Sequence, residues 1–452
     1  MSPSVPTPRL DPDAVLAGLK PFQRATVEHA FRRLWTDEDS VSRFLVADEV
    51  GLGKTLIAKG VAARAIAHLR ERTDRTITIV YICSNSQIAG QNLDRLRELT
   101  GGEAQRNADR ITMLPQTMGS APPGGVDLIA FTPGTSLRLG DATGRVGERV
   151  LLHWMLSHSI DRLWLMQDRI IEYFRDGVGF QRFSDRLEWD WSRPALDDEL
   201  VDEFTRSLSG EDGPFGGTLL TDLFDELDTW LGSDEVTHDM WWRRRRMIGA
   251  LRMAMARTAV TRLAPDLVIL DEFQRFKDLF PGARSSGDEH YSDAQKLAQK
   301  IIMHRSAKSL VLSATPYKMF TLPDELDAED HHQDFHDTIA FLAGPERADL
   351  VKEHLAEVRQ GMLEGTADGH RLAEEATRRA EAELQRVMSR TERLGSAAVA
   401  DGMLREMEMP FLELRPQDLE VWTAADAIGR QDRKSTRLNS SHSHASRMPS
   451  SA

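Results

Sequence analysis

Five short runs of the chain are apolar at nearly every position: Phe44–Ala47, Ile77–Ile82, Leu128–Phe131, Leu267–Leu270 and Leu310–Leu312. A strand with one wet face alternates polar and apolar residues. A strand apolar throughout needs cover on both faces, as in the interior of a parallel sheet. Helical patterns lie between several of the runs, as in "LIAKGVAARAIAHLRER" from Leu56 to Arg72. This order predicts an α/β fold, a parallel sheet flanked by helices, with ligands at the carboxyl ends of the strands.

Residues 145–262 interrupt that rhythm. The stretch is helical in pattern, carries Trp154, Trp164, Trp189, Trp191, Trp230, Trp241 and Trp242, and is divided by "SGEDGPFGG". It is expected to be a large helical insertion whose core is built by the tryptophans. Arg243–Arg246 is expected to be a solvated helix face, with a nucleic-acid contact as the alternative. The α/β domain is therefore split, over 15–144 and 263–325. Residues 326–431 return to a helical pattern with sparse apolar positions, expected as a helical extension that is one long exposed helix or a hairpin bracing the sheet. Residues 1–14 are proline-rich without an apolar centre, which excludes a signal peptide and predicts a disordered lead-in.

The formal charge of -14 means that any nucleic acid must be held by a local basic surface. One cysteine, Cys83, excludes a disulfide framework and fits a reducing cytoplasm. No apolar run approaches the roughly 18 residues of a membrane span, so no membrane partner is expected. Residues 432–452 share no pattern with what precedes them. Asp432–His442 resembles the in-frame translation of a sequencing adapter, and Ser446–Ala452 its far end; a natural disordered tail is the alternative. On the first reading the native sequence is cut near Gln431 and the chain is a fragment.

The segment "FLVADEVGLGKTLIAKG", residues 44–60, nearly matches the phosphate-loop pattern G-x-x-x-x-G-K-[ST]. Gly53, Lys54 and Thr55 fit, whereas Asp48 stands at the leading glycine. Three further pieces fall in order: "LKPFQRATVEHAF" with Gln23, "LVILDEFQRF" with Asp271-Glu272, and "LVLSATPYKMF" with Ser313-Ala314-Thr315. The chemistry suits ATP with Mg²⁺. Backbone N–H groups of Gly51, Leu52, Gly53, Lys54 and Thr55 at a helix N-terminus can cradle phosphates. Lys54 would neutralise the β and γ phosphates, while Thr55 and Asp271 would hold Mg²⁺. Glu272 would orient and deprotonate the attacking water, and the Gln23 amide offers donor and acceptor to an adenine edge.

This set resembles the N-terminal RecA-like lobe of superfamily 2 helicases and translocases, over roughly residues 15–320. "ADEVGLGKT" is similar to the Swi/Snf-type and RapA-type branch, which ordinarily carries D-E-x-G-L-G-K-T. The resemblance implies ATP hydrolysis coupled to nucleic acid, most simply DNA, with the SAT segment as the coupling element. "VYICSNSQIAGQNLDRL" and "LIAFTPGTSL" stand at the family's motifs Ia and Ib, which makes Ser84, Asn85, Thr132 and Ser136 candidate phosphate contacts; they serve equally as ordinary turn residues. "DEFQ" departs from the commoner D-E-A-H or D-E-A-D beyond the two carboxylates. Nothing after residue 320 matches the family's second lobe, which supplies an arginine finger. The chain alone is therefore expected to turn ATP over hardly at all, since such a finger is worth about 10³ to 10⁵ in rate. The rival expectation is an ATP-dependent switch or scaffold that docks a protein partner through the helical insertion and does not move on DNA.

Overall fold

The computed structural model describes residues 10–83, 86–100, 105–107, 110–116, 118, 125–132, 143–164, 167–190, 196–233, 235–272, 289–313 and 331–391. All five predicted strands form: β1 (Arg43–Val46), β2 (Ile77–Ile82), β4 (Val126–Phe131), β5 (Leu267–Asp271) and β6 (Lys308–Leu312). Two strands were not expected, the three-residue β3 (Gln105–Asn107) and the two-residue β7 (Met388–Ser389). The sheet order is β3-β4-β2-β5-β6-β1-β7, and all neighbouring strands in it run parallel.

The reason for the solid apolar runs is visible in the packing. Successive residues enter different cores: Leu45, Val80, Ile82, Val268, Leu270 and Val311 point to one side. Phe44, Val46, Ile79, Tyr81, Ile269 and Leu310 point to the other. The second side is covered by α2 (Pro21–Phe31), α3 (Lys54–Arg70) and α4 (Ser86–Leu96), after a short α1 (Pro12–Ala17). Helix α2 lies so close to α3 that a Cβ on Gly60 would stand 2.7 Å from a Val27 methyl. That contact seats the start of α2, and so Gln23, against the loop that opens α3.

Between β4 and β5 the described chain forms α5 (Val146–Ser159), α6 (Asp161–Trp164), α7 (Gln167–Arg175), α8 (Phe180–Asp190), α9 (Asp198–Gly210), α10 (Leu219–Leu231) and α11 (His238–Arg262). These helices have their own core, and its composition corrects the expectation. It is built by residues such as Leu152, Tyr173, Phe174, Phe183, Phe204 and Met255. Trp230 packs at its margin, Trp154 and Trp241 are half-buried and Trp242 is 53% exposed. Indole N–H groups need a polar partner, which the margin offers and an aliphatic centre does not. The side chains of Trp164, Trp189 and Trp191 lie outside the described residues.

The arginine run is a solvated face only in part. Arg246 is exposed, but Arg244 is buried against Asp176 at 2.5 Å and lies over the Trp230 ring, while Arg243 pairs with Glu226 at 2.6 Å. Asp176 directly follows α7, and Glu226 and Trp230 lie on α10, so Arg243 and Arg244 join these parts of the insertion.

One carboxylate ties the insertion to the sheet domain. Glu148 on α5 accepts from Arg252 Nη2 at 2.7 Å and from the Thr112 hydroxyl at 2.5 Å. It also accepts from the Arg145 amide at 2.5 Å and stands 3.4 Å from Arg110. Arg110 and Thr112 lie between β3 and β4, whereas Arg252 lies on α11.

After β6 the described chain resumes as α13 (His331–Ala343), α14 (Pro345–Glu364) and α15 (Ala367–Gln385); α12 (Glu289–Ile302) precedes β6. Helices α14 and α15 form an antiparallel hairpin, with Arg347–Glu383 at 2.7 Å and Arg379–Glu357 at 2.8 Å. The chain then turns into β7, held by Arg33 Nε donating to the Arg386 carbonyl at 3.0 Å.

Glu148→Ala leaves the Arg252 guanidinium buried without its carboxylate. The expected loss is about 3–5 kcal/mol of unfolding free energy. Urea denaturation followed by circular dichroism measures it, and an unchanged midpoint would remove Glu148 from this role.

Candidate functional site

The parallel sheet brings three of the sequence motifs to one edge. Asp271 at the end of β5 is in register with Leu312 of β6, and Leu312 is in register with Val46 of β1. Asp271 and Val46 therefore stand level, two strand spacings or roughly 10 Å apart. The glycine loop starts one residue beyond Val46. Ser313 lies between the two and donates its amide to the Val46 carbonyl at 3.1 Å.

The loop has the backbone that a phosphate cradle requires. Gly51 and Gly53 both have left-handed φ, 83° and 81°. A Cβ at Gly53 would stand 2.6 Å from the Gln23 amide nitrogen, so a side chain is refused twice, by conformation and by space. Gly53 opens α3, and no side chain caps it. The first N–H groups of a helix have no intrahelical acceptor, which makes this end suited to an anion.

Gln23 is placed by the loop itself. Its Nε2 donates to the Leu52 carbonyl at 2.8 Å, and its Oε1 accepts from the Lys20 amide at 2.9 Å. One N–H and one lone pair of the amide remain for a further partner, which is what an adenine edge needs. Lys54 bends back over the loop and donates to the carbonyls of Asp48 at 2.9 Å and Glu49 at 3.1 Å. Burial pulls its pKa below the usual lysine range, opposed by the charges of Asp48 and Asp271. Thr55 is half-buried in the first turn of α3.

The carboxylate pair is asymmetric. Asp271 is buried, and its Oδ2 accepts from the Tyr81 hydroxyl and, at 3.2 Å, from Asn92 Nδ2. Asn92 also donates to the Tyr81 oxygen at 2.7 Å. Burial raises the Asp271 pKa and the neighbouring Glu272 charge raises it further, while the Tyr81 hydrogen bond lowers it. Glu272 is half-exposed and has φ 58°, a left-handed conformation uncommon for a residue with a side chain. Such a conformation costs on the order of 1–3 kcal/mol and persists only where surroundings impose it.

Asp48, at the place of the missing glycine, is fully buried. Its Oδ1 accepts from the Thr391 amide at 2.7 Å, and its Oδ2 has no hydrogen-bond partner among the described residues. Around it the chain leaving α15 runs alongside the loop: Ala47 N donates to Ser389 O at 2.8 Å and Glu49 N to Thr391 O at 3.2 Å. Burial raises the Asp48 pKa; the Thr391 hydrogen bonds and the Lys54 charge oppose it.

These residues suit Mg²⁺ by chemistry. Asp271 and Thr55 are hard oxygen donors, and no cluster of three or more His, Cys, Asp or Glu stands among the described residues. Mg²⁺ is ordinarily held by one or two carboxylates together with substrate phosphates, so it needs no such cluster.

Thr132 is buried at the end of β4. Ser84, Asn85, Ser136, Ala314 and Thr315 lie outside the described residues. Tyr81, Asn92, Lys20 and Thr391 were not anticipated. Tyr81 had a signal: a phenol inside an otherwise apolar buried strand must find a hydrogen-bond partner. Thr391 had none, being 343 residues from its partner.

No protein-family model matches the chain, and no curated protein matches it.

Two outcomes follow from this geometry. Tyr81→Phe removes the bond that lowers the Asp271 pKa. Binding of divalent cation with ATP, which needs the carboxylate ionised, is expected to fail at a higher pH on acidification than in the wild type. Calorimetric titrations across acidic pH test this, and superimposable profiles would refute it. Asp48→Ala removes the acceptor for Thr391, so exchange of that amide should quicken roughly tenfold or more. Asp48→Asn keeps an acceptor oxygen and should preserve protection, as hydrogen exchange read by NMR or mass spectrometry can decide.

Proposed function

We propose that the chain is the ATP-binding and ATP-hydrolysing lobe of a DNA-dependent helicase or translocase, working in the cytoplasm. The observation that carries the reading is the level placement of the glycine loop and Asp271-Glu272 across β6, at the carboxyl edge of the sheet.

The roles follow from position. The N-terminus of α3 binds the phosphates, and Lys54 exchanges its carbonyl partners for their β and γ oxygens. Asp271, held in one orientation by Tyr81 and Asn92, shares Mg²⁺ with Thr55. Bound Mg²⁺ supplies neutralisation of the phosphate charge. Glu272 projects from a constrained turn beside Asp271 and takes the proton from the attacking water; ATP and water give ADP and phosphate. Gln23 orients the base while fixing Leu52. Ser313, bonded to the end of β1, links the nucleotide loop to the segment that follows β6, which makes the SAT residues the coupling element. The alternative, an ATP-dependent switch that docks a protein through the insertion, shares the nucleotide site and differs in needing no nucleic acid.

Lys54→Ala is expected to weaken binding of a fluorescent ATP analogue at least tenfold. Glu272→Gln should retain that binding and abolish single-turnover hydrolysis; unchanged turnover would remove Glu272 as the base. Coupling is tested by linkage: an oligonucleotide that binds should change ATP affinity, and ATP should change oligonucleotide affinity by the same factor. ATP binding with no oligonucleotide effect favours the switch. No ATP binding sinks both.

A further inference from the structure

The insertion and the sheet domain enclose a cleft of about 570 Å³ between residues 110–116 and residues 144–149, with α8 on its rim. Four of its lining residues are arginines: Arg110, Arg145, Arg149 and Arg186. Glu148 is the carboxylate among the lining residues, and both its oxygens are already engaged by Arg252, Thr112, the Arg145 amide and Arg110.

Arg149 is the informative member. It is 4% exposed. Its guanidinium donates to the carbonyls of Phe174 at 2.7 Å, Gly144 at 2.8 Å, Arg175 at 3.2 Å and Thr143 at 3.3 Å. It makes no ion pair with a carboxylate among the described residues. Carbonyl dipoles satisfy its hydrogens. Burial lowers its pKa, opposed by the charges of Asp176 and Glu148. Arg145 and Arg186 are exposed, so the positive charge continues from the cleft to the surface. In a chain of net charge -14 this is a marked local reversal.

The cleft also has a defined place. Asn107, the last residue of β3, is in register with Ala130 near the end of β4, and Arg110 follows three residues on. The Arg110 side of the cleft therefore lies beyond the same carboxyl edge of the sheet that carries Asp271 and the glycine loop. Strand β4 is two spacings from β5, roughly 10 Å.

We infer that this arginine cleft holds the phosphodiester backbone of a nucleic-acid strand passing the nucleotide site, with the exposed Arg145 and Arg186 at its mouth as the contacts and the buried Arg110 and Arg149 adding positive charge behind them. The inference rests on the function proposed above and adds a contact surface that the motif stretches at Ser84, Asn85, Thr132 and Ser136 do not include. Contact through phosphates implies binding without sequence preference and with strong salt dependence.

The test uses the whole chain and the double variant Arg145→Glu/Arg186→Glu, whose side chains are exposed and outside the nucleotide site. Fluorescence anisotropy follows a labelled 20-nucleotide single strand and the matching duplex over a salt series. Unchanged thermal unfolding and unchanged ATP-analogue binding establish that the variant is folded. The expected result is binding weakened at least tenfold, with the slope of log affinity against log salt reduced by about 0.7–0.9 per arginine. Equal affinity and slope for variant and wild type would overturn the cleft and leave the proposed function standing. Oligonucleotide binding absent in the wild type, with arginine-dependent binding of polyglutamate, would make the cleft a dock for an acidic protein and overturn both. Competition by inorganic pyrophosphate as effective, per phosphate, as competition by unlabelled oligonucleotide would overturn the polymer and leave a small-anion site.

Discussion

Burial of the sheet on both faces is the constraint from which the rest follows. Residues of one strand feed two cores in alternation, so the faces have little room for polar chemistry. Most of it is displaced to the strand ends. Because the pairings are parallel, the ends that share a direction collect the glycine loop, Asp271-Glu272 and Ser313 on one edge, although they lie far apart in sequence. The register through Leu312 then sets their spacing. No separate device is needed to assemble the site: the same apolar packing that stabilises the fold aligns it.

Some of the polar groups that do enter the sheet orient the site. Tyr81 points into a core from β2, yet its hydroxyl and Asn92 converge on one oxygen of Asp271. Two donors on one oxygen fix the orientation of the carboxylate. At the far end of the sheet Glu148 does similar work between domain and insertion, binding residues from three separate stretches. Both clusters are costly if half-made, because an unpaired buried charge loses its solvation without recompense. Such clusters therefore fix one arrangement of the elements rather than add general stability.

Much of this was legible in the sequence because it is local. A run apolar at every position identifies a doubly covered strand, and all five such runs became strands within two residues of their ends. Gly51, Gly53, Lys54 and Thr55 form a contiguous loop and helix start, so spacing alone placed them. What failed was what depends on partners from elsewhere. β3 and β7 are too short to show a pattern and exist because β4 and β1 offer them hydrogen bonds. Arg243–Arg246 reads as a charged surface until α7 and α10 bring Asp176 and Glu226 against it. The tryptophans read as a core because they are large and apolar; the indole N–H sends the described ones to the margin, and smaller aliphatic and phenyl side chains fill the centre.

Asp48 draws these strands of argument together. A glycine at that position would satisfy the loop and nothing else. The aspartate reaches away from the loop, fully buried, and accepts the amide of Thr391 just beyond β7. The chain arriving there has come through the α14–α15 hairpin and has been pinned by His29 on α2, by Arg33 just beyond it, and to β1 by backbone bonds. Helix α2 in turn carries Gln23, which holds the loop from the other side through Leu52. The glycine loop is thus gripped at two points by elements that also touch each other, one at each end of the described chain. Lys54 donates to the carbonyl of the same Asp48, so a change in its partners acts directly on the residue that holds Thr391. The departure from the glycine pattern is a connection: it makes the segment that follows β7 part of the glycine loop.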